Sequence, residues 1–187
     1  MSRSDPGQLL NMEGIRLHIR KAIAGDAPGI ARVHVDSWRT TYQGIVSDTY
    51  LSGLSVQARQ TMWEHAISQL TADKCIFVVQ QKSGEIVGFA MGGPSRSEQF
   101  PNRSELYALY LLSSVQGQGI GKMLVSYVMG YMKSCGYISM LTWVLKGNSA
   151  LQFYRRTGAV IVGEEDIEIG GEPHTEIAME WAQLSIS

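Results

Sequence analysis

Apolar and polar side chains alternate from Ile15 to Arg20, which is the period-two pattern of a half-buried strand. Asp26 then offers an N-cap, Pro28 fits a first helical turn, and apolar residues at helical spacing predict a helix to about Ser37. A second helix is expected to begin at a Ser55 cap. Its buried stripe would comprise Met62, Trp63, Ala66, Ile67 and Leu70. The segment between these two helices is irregular and aromatic.

The rest of the chain predicts six more strands and two more helices. They are a hairpin over 75–81 and 86–92, a strand over 105–112, a helix from Gly119, a strand over 139–145, a short helix capped by Asn148, and a hairpin turning at Gly170-Gly171. This order predicts an α/β (α+β) fold. We expect a mixed, mostly antiparallel central sheet of about seven strands flanked by four helices.

Composition restricts the class of protein without choosing a function. A chain of 187 residues with a formal net charge of −1 fits one globular domain and shows no basic patch for nucleic acid or membrane. Residues 14–187 are expected to form that domain and residues 1–13 a flexible extension. Cys75 and Cys135 predict buried free thiols in a reducing compartment. Without a signal-peptide core or a run of ~18 apolar residues, a cytoplasmic location is expected.

The stretch Gln116–Lys122 places glycines between a strand and a helix, where unpaired N–H groups of the first helical turn suit a phosphate. A Walker loop would need Gly in place of Gln116 and Ser or Thr in place of Met123. The dinucleotide fingerprint would need a third glycine in place of Lys122 and an acidic residue about 20 positions later. Both templates fail, which disfavours a nucleotide-phosphate enzyme.

The pattern Gln/Arg-x-x-Gly-x-Gly, carried here by Gln116, Gly119 and Gly121, resembles the acyl-coenzyme A loop of the GNAT superfamily of N-acetyltransferases. The likeness extends to Glu105–Leu111 before the loop and to Asn148–Tyr154 after it. It implies acetyl-CoA as cosubstrate, with pantetheine lying between two parallel strands that diverge. The implied cofactor-binding residues are Leu109, Tyr110, Leu111, Gln116, Gly117, Gln118, Gly119, Ile120, Gly121, Lys122 and Asn148.

The same resemblance implies aminolysis of a thioester by direct attack within a ternary complex. Tyr154 occupies the position of the family's general acid. A phenol with a pKa near ~10 keeps its proton at neutral pH and can therefore donate it. Glu105 is the candidate base, because alternation would place it on one face with Leu109 and Leu111. Solvent is the open alternative for that proton. A backbone N–H near Leu111 is the expected oxyanion donor.

The expected acceptor is a primary amine, either a small molecule or a peptide group. Trp38, Tyr42 and Tyr50 are the candidate substrate-binding residues, because aromatic rings hold apolar or cationic amines. No metal is expected, since the histidines show no metal-ligand spacing. A homodimer is compatible with the final strands. The alternative function is a non-catalytic acyl-CoA sensor or interaction module.

Overall fold

The computed structural model describes residues 9–12 and 15–184, with side chains from Leu17 onward. The expected N-terminal extension therefore lies largely outside the described residues, as do residues 13–14 and 185–187. The part of it that is described, Leu9–Met12, forms a strand paired antiparallel with the next strand. Within the described residues, no helix is long and apolar enough to cross a membrane.

One sheet of eight strands forms the centre of the fold, in the order β1-β2-β3-β4-β5-β6-β8-β7. The strands are β1 Leu9–Met12, β2 Ile15–Lys21, β3 Cys75–Gln81, β4 Ile86–Pro94, β5 Ser104–Leu111, β6 Met140–Leu145, β7 Val160–Ile169 and β8 Glu172–Trp181. The helices are α1 Ala27–Thr41, α2 Asp48–Ser52, α3 Val56–Ser68, α4 Ile120–Ser134 and α5 Ala150–Arg156. Every neighbouring pair is antiparallel except β5 and β6.

The predicted fold class is confirmed, with one more strand and one more helix than expected. The added strand is β1, and the added helix is α2, a single short element inside the aromatic segment. The expected cap at Ser55 is present, since its hydroxyl accepts the Ala58 N–H. Met62 was wrongly assigned to the buried stripe, because it is 38% exposed while Trp63 beside it is buried.

Asp26 precedes α1 as expected, but its side chain does not cap that helix. Both carboxylate oxygens accept hydrogen bonds from Arg20, at 2.7 and 2.8 Å, and the Ile23 N–H donates to one of them. Burial alone would raise the pKa of Asp26, but these donors outweigh burial and lower it. The interaction ties the end of β2 to the start of α1.

Helices cover both faces of the sheet and create two main cores. On one face, α4 and α5 bury side chains that include Leu124, Val128 and Tyr154. On the opposite face, α1 and α3 bury Ile30 and Trp63, among others. A smaller cluster lies where the end of α1 and α2 meet β6 and β7.

The parallel pair β5 and β6 stays together for three residues only. Its register runs from Ser104 opposite Met140 to Leu106 opposite Thr142, and the strands then diverge. The expected splayed pair is therefore present. Beyond Leu106, the edge of β5 toward β6 is left without a ladder partner.

A β-bulge interrupts β5 just where this divergence begins. Gly92 of β4 lies opposite Leu106, whereas Met91 lies opposite Ala108, so Tyr107 is the extra residue. The bulge breaks the alternation of side chains along β5. Leu106, Leu109 and Leu111 consequently all face the α4 core.

Candidate active site

The turn between β5 and α4 has the backbone expected of an anion-binding loop. Gly117 and Gly119 have φ angles of 74° and 79°, a backbone conformation that residues other than glycine rarely adopt. Gly119 directly precedes α4, and within the described chain no side chain caps this helix. The first amide groups of α4 are thus free to bind an anion at the positive end of the helix dipole.

Gln116 positions the loop through its side chain. Its amide Nε2 donates to the Leu111 carbonyl at 2.8 Å, which fixes the loop to the end of β5. Gln118 similarly donates to the Ser114 carbonyl. Both glutamine side chains therefore stabilise the turn itself, and the main chain remains for a ligand.

The diverging edge of β5 presents main-chain groups to the gap. The Leu112 N–H donates to Val87 on β4, so strand alternation turns the N–H groups of Leu109 and Leu111 toward β6. Tyr110, by the same alternation, directs its main chain to β4, where it is paired with Phe89. Of the three residues expected to offer backbone, Leu109 and Leu111 do so, while Tyr110 contributes its side chain.

A cleft of about 480 Å³ passes through this gap and is lined by residues from both faces of the sheet. It brings together most of the predicted site. The predicted residues that line it are Tyr42, Leu109, Tyr110, Leu111, Gln116, Gly117, Gly119, Gly121, Lys122, Asn148 and Tyr154. Glu105, Gln118, Ile120, Trp38 and Tyr50 do not line it.

Tyr154 extends from α5 into the α4 side of the cleft and is 7% exposed. Its ring lies edge-on to Trp181 and to Phe153, at centroid distances of 5.6 and 5.0 Å. Burial raises the pKa of Tyr154, and a hydrogen bond with the Thr142 hydroxyl opposes this only in part. The phenol therefore stays protonated at neutral pH, and the two neighbouring rings restrict its orientation.

Asn148 and Lys122 border the same end of the cleft. The Asn148 side-chain oxygen accepts the N–H of Ala150, the first residue of α5, at 2.9 Å, although Ser149 and not Asn148 directly precedes that helix. Lys122, in the first turn of α4, is exposed and free to reach a phosphate.

Aromatic side chains form the opposite wall of the cleft. The hydroxyls of Tyr42 and Tyr110 are 3.2 Å apart, and Tyr110 stacks on the buried His34 ring at 5.3 Å. Trp38 and Tyr50 lie behind this wall, where Trp38 contacts Tyr42 at 4.6 Å between ring centroids. The structure thus brings only Tyr42 of the three predicted aromatic residues to the cleft surface.

Glu105 lies on a different face from the one expected. Since Leu106 faces α4, its neighbour Glu105 faces the opposite side, away from Leu109 and Leu111. The bulge at Tyr107 is the physical reason for this difference. The carboxylate is 2% exposed and is paired with Arg96.

Ten further residues line the cleft that sequence patterns did not single out as site residues, among them Tyr107, Thr142, Trp143, Phe153 and Arg156. Thr142 carried a usable signal, because a hydroxyl in the middle of a buried apolar strand needs a partner. Arg156 has only its place in the last turn of α5 to distinguish it. Among residues 9–12 and 15–184, no group of three His, Cys, Asp or Glu side chains is arranged to hold a metal ion.

The profile of the Acetyltransferase (GNAT) family matches residues 36–159. The uncharacterized N-acetyltransferase YuaI of Bacillus subtilis is 38% identical over 167 residues, which cover 89% of this chain and 94% of that protein. Spermidine N(1)-acetyltransferase of Thermoplasma acidophilum is 27% identical over 146 residues, or 76% of this chain and 87% of its own.

Solved structures agree with this grouping. The PaiA N-acetyltransferase of Thermoplasma acidophilum, in complex with coenzyme A, superimposes with a TM-score of 0.67. The two chains are 25% identical, and the match covers 88% of this chain and 97% of the other.

Proposed function

Because the chain belongs to the acetyltransferase (GNAT) family and is an acetyl-CoA-dependent acetyltransferase, we propose that a primary amine attacks the acetyl group directly, within a ternary complex. One observation carries this proposal: a single cleft joins the anion-binding loop on the α4 side to an aromatic wall on the other side. The two substrates can therefore approach the gap from opposite faces of the sheet, and no covalent enzyme intermediate is needed.

The residues present fit acetyl-CoA. The free amides at the start of α4, with Gly117, Gly119 and Lys122, suit its pyrophosphate, and the N–H groups of Leu109 and Leu111 suit the amides of its pantetheine arm. When bound, acetyl-CoA supplies an acetyl group activated as a thioester. Asn148 is the further candidate contact at the mouth of the cleft.

Tyr154 is the proposed proton donor to the departing coenzyme A thiolate, which leaves as the free thiol. Burial keeps its phenol protonated at neutral pH, and the surrounding rings fix its direction. The Leu111 N–H, which faces the gap, is the proposed donor to the oxygen that becomes negative during attack. Both groups stand on the edge or floor of the same cleft.

The acceptor side favours a cationic aliphatic amine. Tyr42 and Tyr110 present rings and hydroxyls that can hold an ammonium group while it loses its proton. Glu176 does not line the cleft, but it is near enough to influence Tyr42; burial raises the pKa of Glu176, Arg96 partly opposes this, and the carboxylates of Glu165 and Glu105 add to it. The acetylation of spermidine by the Thermoplasma relative is in keeping with such an acceptor.

The test is release of free coenzyme A thiol from acetyl-CoA across a panel of monoamines, diamines, polyamines and peptides. Tyr154→Phe should lower kcat by about 10²-fold or more without changing the affinity for coenzyme A. Tyr137→Phe is the matched control, since Tyr137 follows the far end of α4, about 22 Å from its first turn. Unchanged turnover in Tyr154→Phe would remove that residue from the mechanism.

The sensor alternative has a distinct outcome in the same experiment. Coenzyme A binding by the wild-type protein, without thiol release over the whole panel, would contradict the proposed transfer and support a binding module. Transfer to any of the amines would exclude the sensor.

A further inference from the structure

Glu105 is a buried carboxylate whose side-chain hydrogen bonds within the described chain all come from one residue. The Arg96 main-chain N–H donates to Oε2 at 2.8 Å, Nε donates to Oε1 at 3.1 Å, and Nη2 donates to the same Oε1. Three of about four lone-pair positions of the carboxylate are thereby used. A charge with this little exposure is retained in a fold only when it is paired so completely.

Arg96 belongs to the segment that connects β4 to β5, residues 95–103, called here the acceptor loop. Its guanidinium lies over the Tyr107 ring at 4.3 Å, and the Tyr107 hydroxyl donates to the Pro94 carbonyl. Tyr107 is the bulge residue and lines the cleft. Glu105, Arg96 and Tyr107 are therefore one contiguous unit at the point where β5 leaves β6.

The far end of the acceptor loop is anchored separately. Arg103 Nε donates to Glu180 Oε1 at 2.6 Å, and the Ser95 N–H donates to the Arg103 carbonyl. Between the anchors, Phe100 contacts the ring of Trp143, a second residue of the cleft, at a centroid distance of 6.0 Å. The acceptor loop thus contacts two aromatic residues that line the cleft, Tyr107 through Arg96 and Trp143 through Phe100.

We propose that Glu105 is a positioning residue that holds Arg96, and through it the acceptor loop and Tyr107, in place for the amine, and that it is not the base. This inference rests on the proposed function. A base needs a free lone pair directed at the amine, whereas Arg96 donors occupy three of the about four lone-pair positions of Glu105, which does not line the cleft. The proton of the amine then leaves to solvent.

The test compares Glu105→Gln, Arg96→Ala and the double variant with wild type, using an acceptor found in the amine panel. Gln keeps the size of the side chain and removes its basicity. Each single variant should raise the acceptor KM by about tenfold with kcat within about threefold, and the double variant should resemble the singles because both remove one interaction. The rate should fall at low pH because the amine acceptor becomes protonated, and this acidic limb of the pH profile should persist in Glu105→Gln. Glu98→Gln, an exposed carboxylate of the same loop, is the matched control.

Loss of about 10²-fold or more in kcat in Glu105→Gln alone, together with loss of the acidic limb, would overturn the positioning role. A readout independent of activity separates this proposal from the proposed function. Hydrogen exchange in residues 95–103 should quicken in Glu105→Gln and Arg96→Ala while coenzyme A affinity is unchanged. Unaltered exchange would overturn the proposal even if transfer is observed, and absence of transfer in wild type would contradict only the proposed function.

Discussion

His34 makes the stability of the fold depend on pH. The imidazole lies in the core between α1 and α3, where its Nδ1 accepts the Trp63 Nε1–H at 3.1 Å and its ring stacks on Tyr110. Burial, and to a smaller degree the charge of Arg59, lowers the pKa of His34 from 6.5 to about 3. The folded protein therefore holds a neutral imidazole at pH values where the unfolded chain holds a charged one.

The size of the effect follows from this difference. Because the folded pKa lies below the unfolded value, the contribution of His34 is fully present above pH 6.5 and is lost as the pH falls toward 3. Each pKa unit corresponds to about 1.4 kcal/mol, so at about pH 5 the protein should have lost about 2 kcal/mol through this group.

The perturbation that isolates this contribution is His34→Gln, whose amide oxygen can still accept the Trp63 N–H. Urea unfolding of both proteins at about pH 7.5 and about pH 5 gives the free energies to compare. The variant should be less stable at the higher pH because it loses ring contacts, but its further loss on acidification should be smaller by about 2 kcal/mol. All other ionisable groups are the same in the two proteins, so their contributions cancel in this comparison. An equal loss of stability in the two proteins would refute the buried neutral imidazole.

Two other predictions concern groups outside the cleft. The pKa of Asp26 is lowered in the folded state, so its carboxylate stabilises the fold above the unfolded pKa of about 3.9, and this stability is lost as the pH falls through the folded pKa. At neutral pH, Asp26→Asn should lower the free energy of unfolding, measured in urea, by about 1–3 kcal/mol. This difference from wild type should become smaller in acid. A difference that does not become smaller would contradict this. Burial raises the pKa of Cys75 to about 12 while Cys135 is exposed, so iodoacetamide should label one thiol in the native protein and two in urea. Rapid native labelling of Cys75 would show that β3 is not buried as described.

Local patterns predict much of this fold because most helices and strands show a regular spacing of apolar residues and have capping or turn residues at their ends. The apolar stripe of α4 and the glycine turn before it are visible in the sequence, and both occur within a residue of their expected places. The prediction that β5 and β6 are parallel and diverge, by contrast, came from the resemblance to a family. Period alone does not reveal which strands become neighbours.

The bulge at Tyr107 explains the main error in the site. Alternation along β5 was assumed to continue from Glu105 to Leu111, and one extra residue reversed the face of the first of them. No residue in that strand marks the bulge, because it is set by pairing with β4. Likewise, Cys135 was expected to be buried and is exposed, since it follows the last turn of α4.

The central claim is that the main chain of the turn at Gly119 binds the pyrophosphate of coenzyme A. Gly119 and Gly136 flank α4, both have positive φ angles of 79° and 91°, and a side chain at either would meet no described atom within 4 Å. Alanine in this conformation costs about 1 kcal/mol or more at either position, so the pair is matched for strain and differs only in distance from the proposed ligand. Calorimetric titration with coenzyme A should show an affinity lowered about tenfold or more in Gly119→Ala and unchanged in Gly136→Ala. Equal affinity in Gly119→Ala and wild type would contradict the claim.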